Sequence, residues 1–330
     1  MNKSPRIAVI GAGISGLSCS KNLHDGAFEL SVYDKSRGPA GRMSTRRGDG
    51  WQCDHGAQYF TARDPGFRAE VARWQAAGVA DVWPARLAVF NEADGQRSET
   101  RLERFVGVPR MTAPARFLAD TLPLTAQTTI TRLERTPAGW QMTSAEHGQL
   151  PGHFDAVLLA VPAPQAVPLL ETVAPDLAAI AAGAVMRGSW ALMLRYDAPV
   201  ALSFDAAFVN CGPLRWIARD NSKPGRGAQE TWLLHASAEW SEAHIEETPE
   251  TVAAALLQAF GQLGGPAPQA WSAHRWRYAD TEPALDKGCV WDAGLRIGLC
   301  GDWLNGGKVE GAWLSGRALA QQVAQSFGTV

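Results

Sequence analysis

The chain has few cysteines, no long apolar segment and almost no net charge. Its five cysteines are scattered, odd in number and never spaced as C-x-x-C, so we expect neither a disulfide framework nor a metal site. No apolar run reaches the about 18 residues of a membrane span. A formal net charge of −2 disfavours a nucleic-acid partner. The first predicted strand begins at Arg6, which leaves no room for a signal peptide, so we expect a cytoplasmic protein.

What the chain does contain is a glycine-rich turn directly after an apolar strand. Residues 6–10 predict a buried parallel strand, and Gly11, Gly13 and Gly16 then follow as G-x-G-x-x-G before a helix. Such glycines allow a tight turn, close approach to a pyrophosphate and packing of the helix on the sheet. The helix start offers free N–H groups and a positive dipole to the phosphates. The predicted cofactor contacts in this turn are Gly11, Ala12, Gly13, Ile14, Ser15 and Gly16.

An acid and a basic loop follow the second predicted strand, residues 28–33. Asp34 ends this strand, about where an acid accepts hydrogen bonds from a ribose. The next loop is rich in Gly, Pro and Arg, which suits a long anionic ligand, with Arg42 paired to its pyrophosphate. The alternative is a solvated basic loop. The motif predicts a dinucleotide without separating NAD from FAD, and its predicted contacts are Asp34, Lys35, Gly41, Arg42 and Met43.

Motifs at both ends of the chain carry a family resemblance. The glycine turn, the loop Gly41-Arg42-Met43-Ser44-Thr45-Arg46 and the stretch Asp54-His55-Gly56-Ala57-Gln58-Tyr59-Phe60 are joined by a late Gly301-Asp302 before the last predicted helix. Together they resemble the flavin amine oxidase superfamily, and within it the renalases and their bacterial relatives. This resemblance implies FAD rather than NAD. No cysteine is convincingly placed for a covalent tether, so we expect the FAD to be held non-covalently.

The resemblance also implies FAD contacts outside the first motif. Gly301 and Asp302 would contact the ribityl–pyrophosphate region, and the helix that starts near Gly307 would point its N-terminus at the flavin. Lys308 would add a full charge there, the alternative being an exposed lysine of the first turn. The backbone of Ile130 would touch the adenine part. The remaining contacts are Gly56 and Ala57, where the backbone would pass close to the flat ring, together with Gln58 and Val309.

We expect an α/β fold, α+β overall. The resemblance implies a Rossmann-type FAD/NAD(P)-binding domain interleaved with a β-rich substrate domain, as in flavoproteins of the amine oxidase and p-hydroxybenzoate hydroxylase type. The FAD domain would comprise residues 1–62, 125–165 and 286–330, and the substrate domain residues 63–124 and 166–285. Helices are predicted over 65–77, 114–122 and 249–262, with Thr248 as the cap of the last one, and a strand over 82–90. Residues 165–285 otherwise appear as β-rich sequence.

No motif for a serine nucleophile, a zinc protease or a metal cluster is present. By resemblance to renalases, His235, Trp276 and Tyr59 would face the flavin and frame the substrate. His235 and Trp276 lie on strands that we expect to be neighbours. The alternatives are a core histidine for His235 and an interface tryptophan for Trp276. The alternative to Tyr59 is that Gln58 or Phe60 points into the substrate site in its place.

The sequence offers few candidate acid–base residues, and this favours oxidation of a dihydropyridine over oxidation of an amine. Oxidising an amine requires a neutral amine and a group that manages its proton, whereas a dihydropyridine becomes aromatic when it loses hydride. The renalase resemblance implies oxidation of the 2- and 6-dihydro isomers of NAD(P)H to NAD(P)+, with dioxygen reduced to hydrogen peroxide. The substrate would then be a small, dinucleotide-like molecule. The alternatives are a flavin amine oxidase or desaturase on a small apolar substrate, a non-redox FAD protein and an NAD(P)-dependent dehydrogenase.

Overall fold

The computed structural model describes residues 4–24, 26, 28–90 and 102–328. Its strands belong to two six-stranded sheets and three smaller ones. In chain order they are β1 (Arg6–Ile10), β2 (Glu29–Tyr33), β3 (Thr45–Gly48), β4 (Trp51–Asp54), β5 (Ala80–Val82), β6 (Leu87–Phe90), β7 (Phe105–Gly107), β8 (Leu124–Thr125), β9 (Ile130–Thr136), β10 (Gly139–Ser144), β11 (Gly148–Gln149), β12 (Ala156–Leu159), β13 (Met186–Tyr196), β14 (Ala206–Val209), β15 (Leu214–Arg219), β16 (Glu230–Ala236), β17 (Ala270–Thr281), β18 (Val290–Asp292) and β19 (Ile297–Leu299).

The helices cover the faces of the sheets. Proline occupies the first turn of several of them, where its missing N–H leaves no helical bond unmade. Thr248 caps one helix through its side chain, as the sequence predicted. The helices are α1 (Ile14–His24), α2 (Pro65–Ala76), α3 (Ala113–Ala119), α4 (Ala163–Leu170), α5 (Pro175–Ala182), α6 (Ala238–Ala243), α7 (Pro249–Gln262) and α8 (Lys308–Ser326).

The first six-stranded sheet has the order β18-β19-β12-β1-β2-β8 and is parallel except for β18. Its central strand β1 is buried on both faces. Ile7 and Val9 pack into one hydrophobic cluster with α1 and α8, while Ala8 and Ile10 pack into a second with α4 and α5. This double burial explains the continuous apolar run of β1, and it confirms the predicted Rossmann-like architecture.

The second six-stranded sheet has the order β17-β13-β16-β15-β14-β6, and only the β14–β6 pair is parallel. Helix α7 packs on one face through Val252, Leu256 and Phe260. The hairpin β3–β4 lies against the sheet by way of Cys53, which contacts residues of β13 and β16. The face that carries this hairpin also faces the large cavity described below.

Three secondary-structure predictions were wrong. The predicted strand 82–90 is two short strands in two sheets, because Pro84 interrupts the run after β5. The segment after Pro162, expected to be β-rich, forms α4 and α5. The alanine-rich sequence of α5 favours helix, whereas α4 forms although Pro168 lies inside it. His235 and Trp276 do not lie on neighbouring strands, since β13 runs between β16 and β17.

Candidate active site

The glycine turn connects β1 to α1 at the edge of a large cavity. Gly11 has a φ of +107°, and a Cβ there would collide with the carbonyl of Ala160 on the neighbouring β12 connection. A Cβ at Gly16 would collide with the carbonyl oxygen of Gly11. Gly13, by contrast, has open space where a Cβ would stand. Two glycines are therefore needed for packing, and the third leaves backbone accessible to a ligand.

Asp34 lies at the end of β2 and lines the cavity. Its Oδ2 accepts the N–H of Ala12 at 2.6 Å, and its Oδ1 accepts the N–H of Ser36 at 2.7 Å. These bonds hold the glycine turn against the following loop. Each carboxylate oxygen keeps a second lone pair, so the group can still accept hydrogen bonds from ribose hydroxyls.

Arg42 and Asp302, which the sequence predicted as separate cofactor contacts, are paired with each other. The Nη1 atom of Arg42 donates to Oδ2 of Asp302 at 2.9 Å, and Nη2 donates to Oδ1. Both residues line the cavity. The loop after β2 is thus joined to the turn that precedes α8.

Two glycines with positive φ, Gly306 and Gly307, form the turn from which helix α8 begins. Gly307 has a φ of +65° and is the cap residue, and Lys308 is exposed at the first turn. A Cβ at Gly316 would collide with the carbonyl oxygen of Ser15, so α8 packs directly on α1. The N-terminal ends of both helices reach the cavity, through Ser15 of α1 and Val309 of α8.

The cavity has a volume of about 2230 Å³ and extends from the glycine turn to the second sheet. This exceeds the roughly 300–1,000 Å³ that holds one drug-sized molecule, so it has room for a dinucleotide and a substrate together. Ala12, Gly16 and Gly307 are the predicted site residues that do not line it. The others do: Gly11, Gly13, Ile14, Ser15, Asp34, Lys35, Gly41, Arg42, Met43, Gly56, Ala57, Gln58, Tyr59, Ile130, His235, Trp276, Gly301, Asp302, Lys308 and Val309.

The carbonyl oxygen of His55 joins the two predicted substrate-site residues. It lies 3.1 Å from Nε2 of His235 and accepts Nε1–H of Trp276 at 2.8 Å. The two side chains come from β16 and β17 and meet at this one atom. Next to it, Gly56 has a local role, because a Cβ there would collide with the carbonyl oxygen of Arg42.

Three histidines and Trp276 form an aromatic wall, defined here as His55, His235, His274 and Trp276. The ring of His55 stacks on Trp276 with centroids 5.2 Å apart, and His274 meets both rings edge-on at 4.8 and 4.4 Å. The sequence reasoning did not assign His55 or His274 to the substrate site. A signal existed for His274, which lies two positions from Trp276 and so on the same face of its strand.

The histidines of the aromatic wall are neutral near pH 7. Burial, aided by the positive charge of nearby groups, lowers the pKa of His55 to about 3. Burial lowers the pKa of His235 to about 4. Burial and then the charge of Arg46 lower that of His274 to about 4 as well. A group with so low a pKa is a poor general base at neutral pH.

Tyr59 faces the cavity and contacts the ring of Trp216 at 5.4 Å, with the guanidinium of Arg104 5.3 Å from its own ring. Gln58 also reaches the cavity, but its amide is held by the carbonyls of Asp54 and Gly56. Phe60 is buried in the core instead. Of the three residues considered for this position in the substrate site, Tyr59 and Gln58 therefore line the cavity and Phe60 does not.

A buried ion quartet, which the sequence analysis missed, lies beneath this segment. It consists of Asp54, Asp220, Lys223 and Arg226, whose side chains are at most 1% exposed. Lys223 Nζ donates to Asp220 at 2.8 Å and to Asp54 at 3.2 Å, and also to Gln58 at 3.2 Å. Three of its members come from a turn-rich loop, where charged residues are ordinary and give no sequence signal of burial.

The opposite charges of the quartet offset part of the cost of burying them. Burial would raise the pKa of Asp54, but Lys223 and Arg226 hold it well below its usual value. Burial and the nearby Asp54 raise the pKa of Asp220. Burial opposes the charge of Lys223, yet the two carboxylates raise its pKa. The pairing fixes the Asp54–Gln58 backbone to the second sheet.

The residues present fit an FAD molecule. Ser15 Oγ is buried at the start of α1 and finds no hydrogen-bond partner in the described part of the chain, and Gly13 beside it is open to the cavity. A pyrophosphate at the start of this helix would accept hydrogen bonds from both the hydroxyl and the free N–H groups. The start of α8 supplies a second positive dipole end further along the same cavity.

Within the described residues, no group of three or more His, Cys, Asp and Glu side chains is arranged to hold a metal ion. Across those same ranges, no helix has both the length and the apolar character that a membrane crossing needs. All five cysteines are free, and none of them lines the cavity in the part of the chain that the structure describes.

Comparison with known proteins gives family models that match most of the chain. Residues 9–73 match the NAD(P)-binding Rossmann-like domain. Residues 67–324 match the flavin containing amine oxidoreductases. Among curated proteins, the zeta-carotene-forming phytoene desaturase of Myxococcus xanthus is 39% identical over 51 residues, which are 16% of this chain and 10% of that protein. The matched segment thus spans a tenth of that relative.

Solved structures share the fold at low sequence identity. A putative protoporphyrinogen oxidase from Exiguobacterium sp. 255-15 superposes with a TM-score of 0.77 at 13% identity, covering 98% of this chain and 99% of that one. Cyclohexylamine oxidase from Brevibacterium oxydans IH-35A has a TM-score of 0.75 at 13% identity, covering 98% and 100%. Putrescine oxidase bound to putrescine has a TM-score of 0.73 at 11% identity, covering 97% and 99%.

The family match covers well over half of the chain, and the fold and cavity agree with it. The chain belongs to the flavin-containing amine oxidoreductase family and is an FAD-dependent oxidoreductase.

Proposed function

We propose that the protein is a renalase-like oxidase that takes hydride from a dihydropyridine ring. Its substrates would be the 2- and 6-dihydro isomers of NAD(P)H, its organic product NAD(P)+, and dioxygen the electron acceptor that yields hydrogen peroxide. The observation that carries this proposal is the aromatic wall, which offers flat rings and histidines that stay neutral at pH 7.

The chain's own residues would orient the ring and exclude water. Trp276 and His55 offer a stacked aromatic surface, and the two donors to the His55 carbonyl hold that surface in place. Hydride transfer depends on such orientation. When bound, FAD supplies the hydride acceptor, and the protein supplies binding and position. A dihydropyridine ring becomes aromatic by losing hydride alone, so no proton has to be removed. The reaction therefore needs no general base, and histidines with low pKa values are compatible with it.

The second candidate is oxidation of an amine, as the names of the putrescine and cyclohexylamine oxidases suggest for those proteins. A primary amine is a cation at neutral pH. Lys and Arg side chains outnumber Asp and Glu side chains around this cavity, so a cationic substrate would meet repulsion. The surplus of positive charge supports an anionic substrate instead.

Anaerobic stopped-flow reduction of the bound flavin tests the proposal. We expect rapid bleaching by 2- or 6-dihydro-NAD(P), much slower bleaching by ordinary 4-dihydro NADH, and little by simple amines. Under air, hydrogen peroxide should appear in step with NAD(P)+. If a primary amine or amino acid bleaches the flavin faster than both dihydro isomers, the amine-oxidase candidate replaces this one.

A further inference from the structure

Three arginines lie along the cavity beside the β3–β4 hairpin, and we name them the arginine rim: Arg46, Arg47 and Arg110. Arg46 extends from β3 towards β17, where its Nη2 is 3.3 Å from Nδ1 of His274. Arg47 is opposite Gln52 in the hairpin ladder. Gln52 in turn accepts Nε–H of Arg110 at 2.7 Å. All three side chains line the cavity. Consecutive strand residues point to opposite faces, so Arg46 lies on the side of the hairpin next to the aromatic wall, and Arg47 lies with Gln52 and Arg110 on the other side.

The arginine rim has no carboxylate partner within the part of the chain that the structure describes. Among the residues that the structure describes, no carboxylate lies within 4.0 Å of any of the three guanidinium groups. Arg42 and Arg277 also line the cavity and are paired with Asp302 and Glu246, whereas Arg37 and Arg116 line it without an ion pair among the described residues. Unpaired arginines grouped at a cavity attract anions, and their planar forks match phosphate oxygens.

A second observation points to a ligand at the same place. His55 is 6% exposed, and its buried Nδ1 has no hydrogen-bond partner among the described residues. Its ring contacts His274, the residue on which Arg46 rests. A buried polar atom without a partner is costly, so a polar partner for this nitrogen would stabilise the wall.

We propose that the arginine rim is a phosphoryl-binding subsite that holds the pyrophosphate of a dinucleotide substrate while its nicotinamide-derived ring lies against Trp276. This inference rests on the proposed function and extends it from the reacting ring to the rest of the substrate. The FAD pyrophosphate has its own site at the start of α1, so the rim serves a second, separate anion. Arg46 is the central residue, since it alone contacts the aromatic wall.

The test uses FAD-loaded protein and ADP-ribose, which carries the pyrophosphate and lacks the reacting ring. Binding is followed by calorimetry and by perturbation of the flavin spectrum, at low and at high salt. We expect wild-type binding that weakens as salt rises. Arg46→Gln and Arg47→Gln should each weaken it about tenfold, the loss expected for a hydrogen bond to a charged group.

The matched control is Arg277→Gln, an exposed cavity arginine whose charge is already paired with Glu246. It should leave ADP-ribose binding within about twofold of wild type, a change below the size of one charged hydrogen bond. Equal losses in all three variants would mean general electrostatic attraction and would overturn the subsite. So would unchanged binding in Arg46→Gln and Arg47→Gln, or no ADP-ribose binding by the wild type.

A truncated substrate separates this inference from the proposed function. A dihydro isomer of N-methylnicotinamide carries the ring and no phosphate, so the rim variants should be reduced by it at the wild-type rate. If no dihydropyridine reduces the flavin but ADP-ribose binding still depends on Arg46, the proposed function fails and the subsite stands. If Arg46→Gln slows the truncated substrate as much as the full dinucleotide isomer, Arg46 acts on the ring and the subsite is wrong.

Discussion

The guanidinium of Arg42 forms a two-pronged ion pair with the carboxylate of Asp302, 260 positions further along the chain. Its Nη1 also donates to the carbonyl of Ala279 near the end of β17, at 3.1 Å. One side chain therefore ties the loop after β2 to the turn before α8 and to the second sheet. Arg42 is positioned by these partners, so any contact it makes with the FAD pyrophosphate is made by a fixed group.

We predict that FAD is bound without a covalent bond. No cysteine lines the cavity among the described residues, and Cys289 and Cys300 are buried elsewhere. Acid precipitation should release the yellow colour into the supernatant, as measured by its absorbance. Free FAD carried through the same precipitation serves as the control, and colour retained in the washed pellet would contradict the prediction.

Asp34→Ala should weaken FAD retention while the fold stays intact. The substitution removes the acceptor for ribose hydroxyls together with the bonds from Ala12 and Ser36, and each charged hydrogen bond contributes on the order of 1.5–3 kcal/mol. Equilibrium dialysis of FAD against the apoprotein measures the change. Asp155→Ala is the control, because Asp155 also accepts a backbone N–H, from Arg6, but does not line the cavity. Equal FAD affinity in both variants would refute the assignment of Asp34.

Trp276→Ala should slow flavin reduction without displacing FAD. It removes the stacked surface beside His55 and one of the two donors to the His55 carbonyl. Trp276→Phe keeps a ring and loses only the N–H, so an intermediate rate would mean that both features contribute. Trp271→Phe, on the same strand and outside the cavity, is the control. Anaerobic stopped-flow absorbance measures the rates, and a wild-type rate in Trp276→Ala would exclude Trp276 from the site.

The histidines of the aromatic wall give the protein a defined acid sensitivity. Their pKa values fall from 6.5 when unfolded to about 3–4 when folded, so between those values the unfolded chain binds more protons. Stability should therefore drop as pH falls from about 6.5 to about 3, and these groups should cause no further loss below that. His235→Gln should flatten the slope of the thermal midpoint against pH, whereas the exposed His24→Gln should not. A slope unchanged by His235→Gln would contradict this account.

The same histidines predict a flat rate profile near neutrality. None of the three changes charge between pH 6 and 8, so reduction of the flavin by a dihydropyridine should be nearly constant across that range. A steep rise with pH would instead indicate a substrate or a base that must lose a proton, as in amine oxidation.

Lys223→Met should be strongly destabilising, because it leaves two buried carboxylates facing one guanidinium. Breaking a buried ion pair by removing one partner costs about 3–5 kcal/mol. Urea unfolding at saturating FAD, followed by tryptophan fluorescence, measures the loss. Lys287→Met removes an exposed lysine and serves as the control. A loss under about 1 kcal/mol, the size of a surface pair, would mean that the quartet rearranges to compensate.

The parts of the molecule that depend on local pattern could be predicted from the sequence. The run from β1 through the glycine turn to Asp34 combines period, turn chemistry and spacing, and the structure has these elements in the predicted order. Helix α7 was predicted to its exact residues because Thr248, Pro249 and the apolar spacing agree. The Gly301-Asp302 turn was identified through the family resemblance, and it lies, as expected, between the strand β19 and the helix α8.

The contacts that depend on tertiary structure could not be predicted. Nothing near Lys223 in the sequence shows that its ammonium lies beneath the residue 54–58 segment, since its partner Asp54 is 169 positions away. The insertion of β13 between β16 and β17 is likewise a matter of sheet order, which strand patterns do not encode. As a result, the meeting of His235 and Trp276 at one carbonyl appears only in three dimensions.

The position of α8 against α1 has a consequence for biosynthesis. The first nucleotide-binding motif is translated early, but its cavity wall includes Asp302 and the start of α8, and α8 packs on α1 through Gly316. A ribosome-bound chain that has not yet released residue 316 lacks that wall. We therefore expect FAD to be captured only after translation has passed this helix, so that apoprotein, rather than a half-made flavoprotein, is the species exposed to chaperones and proteases.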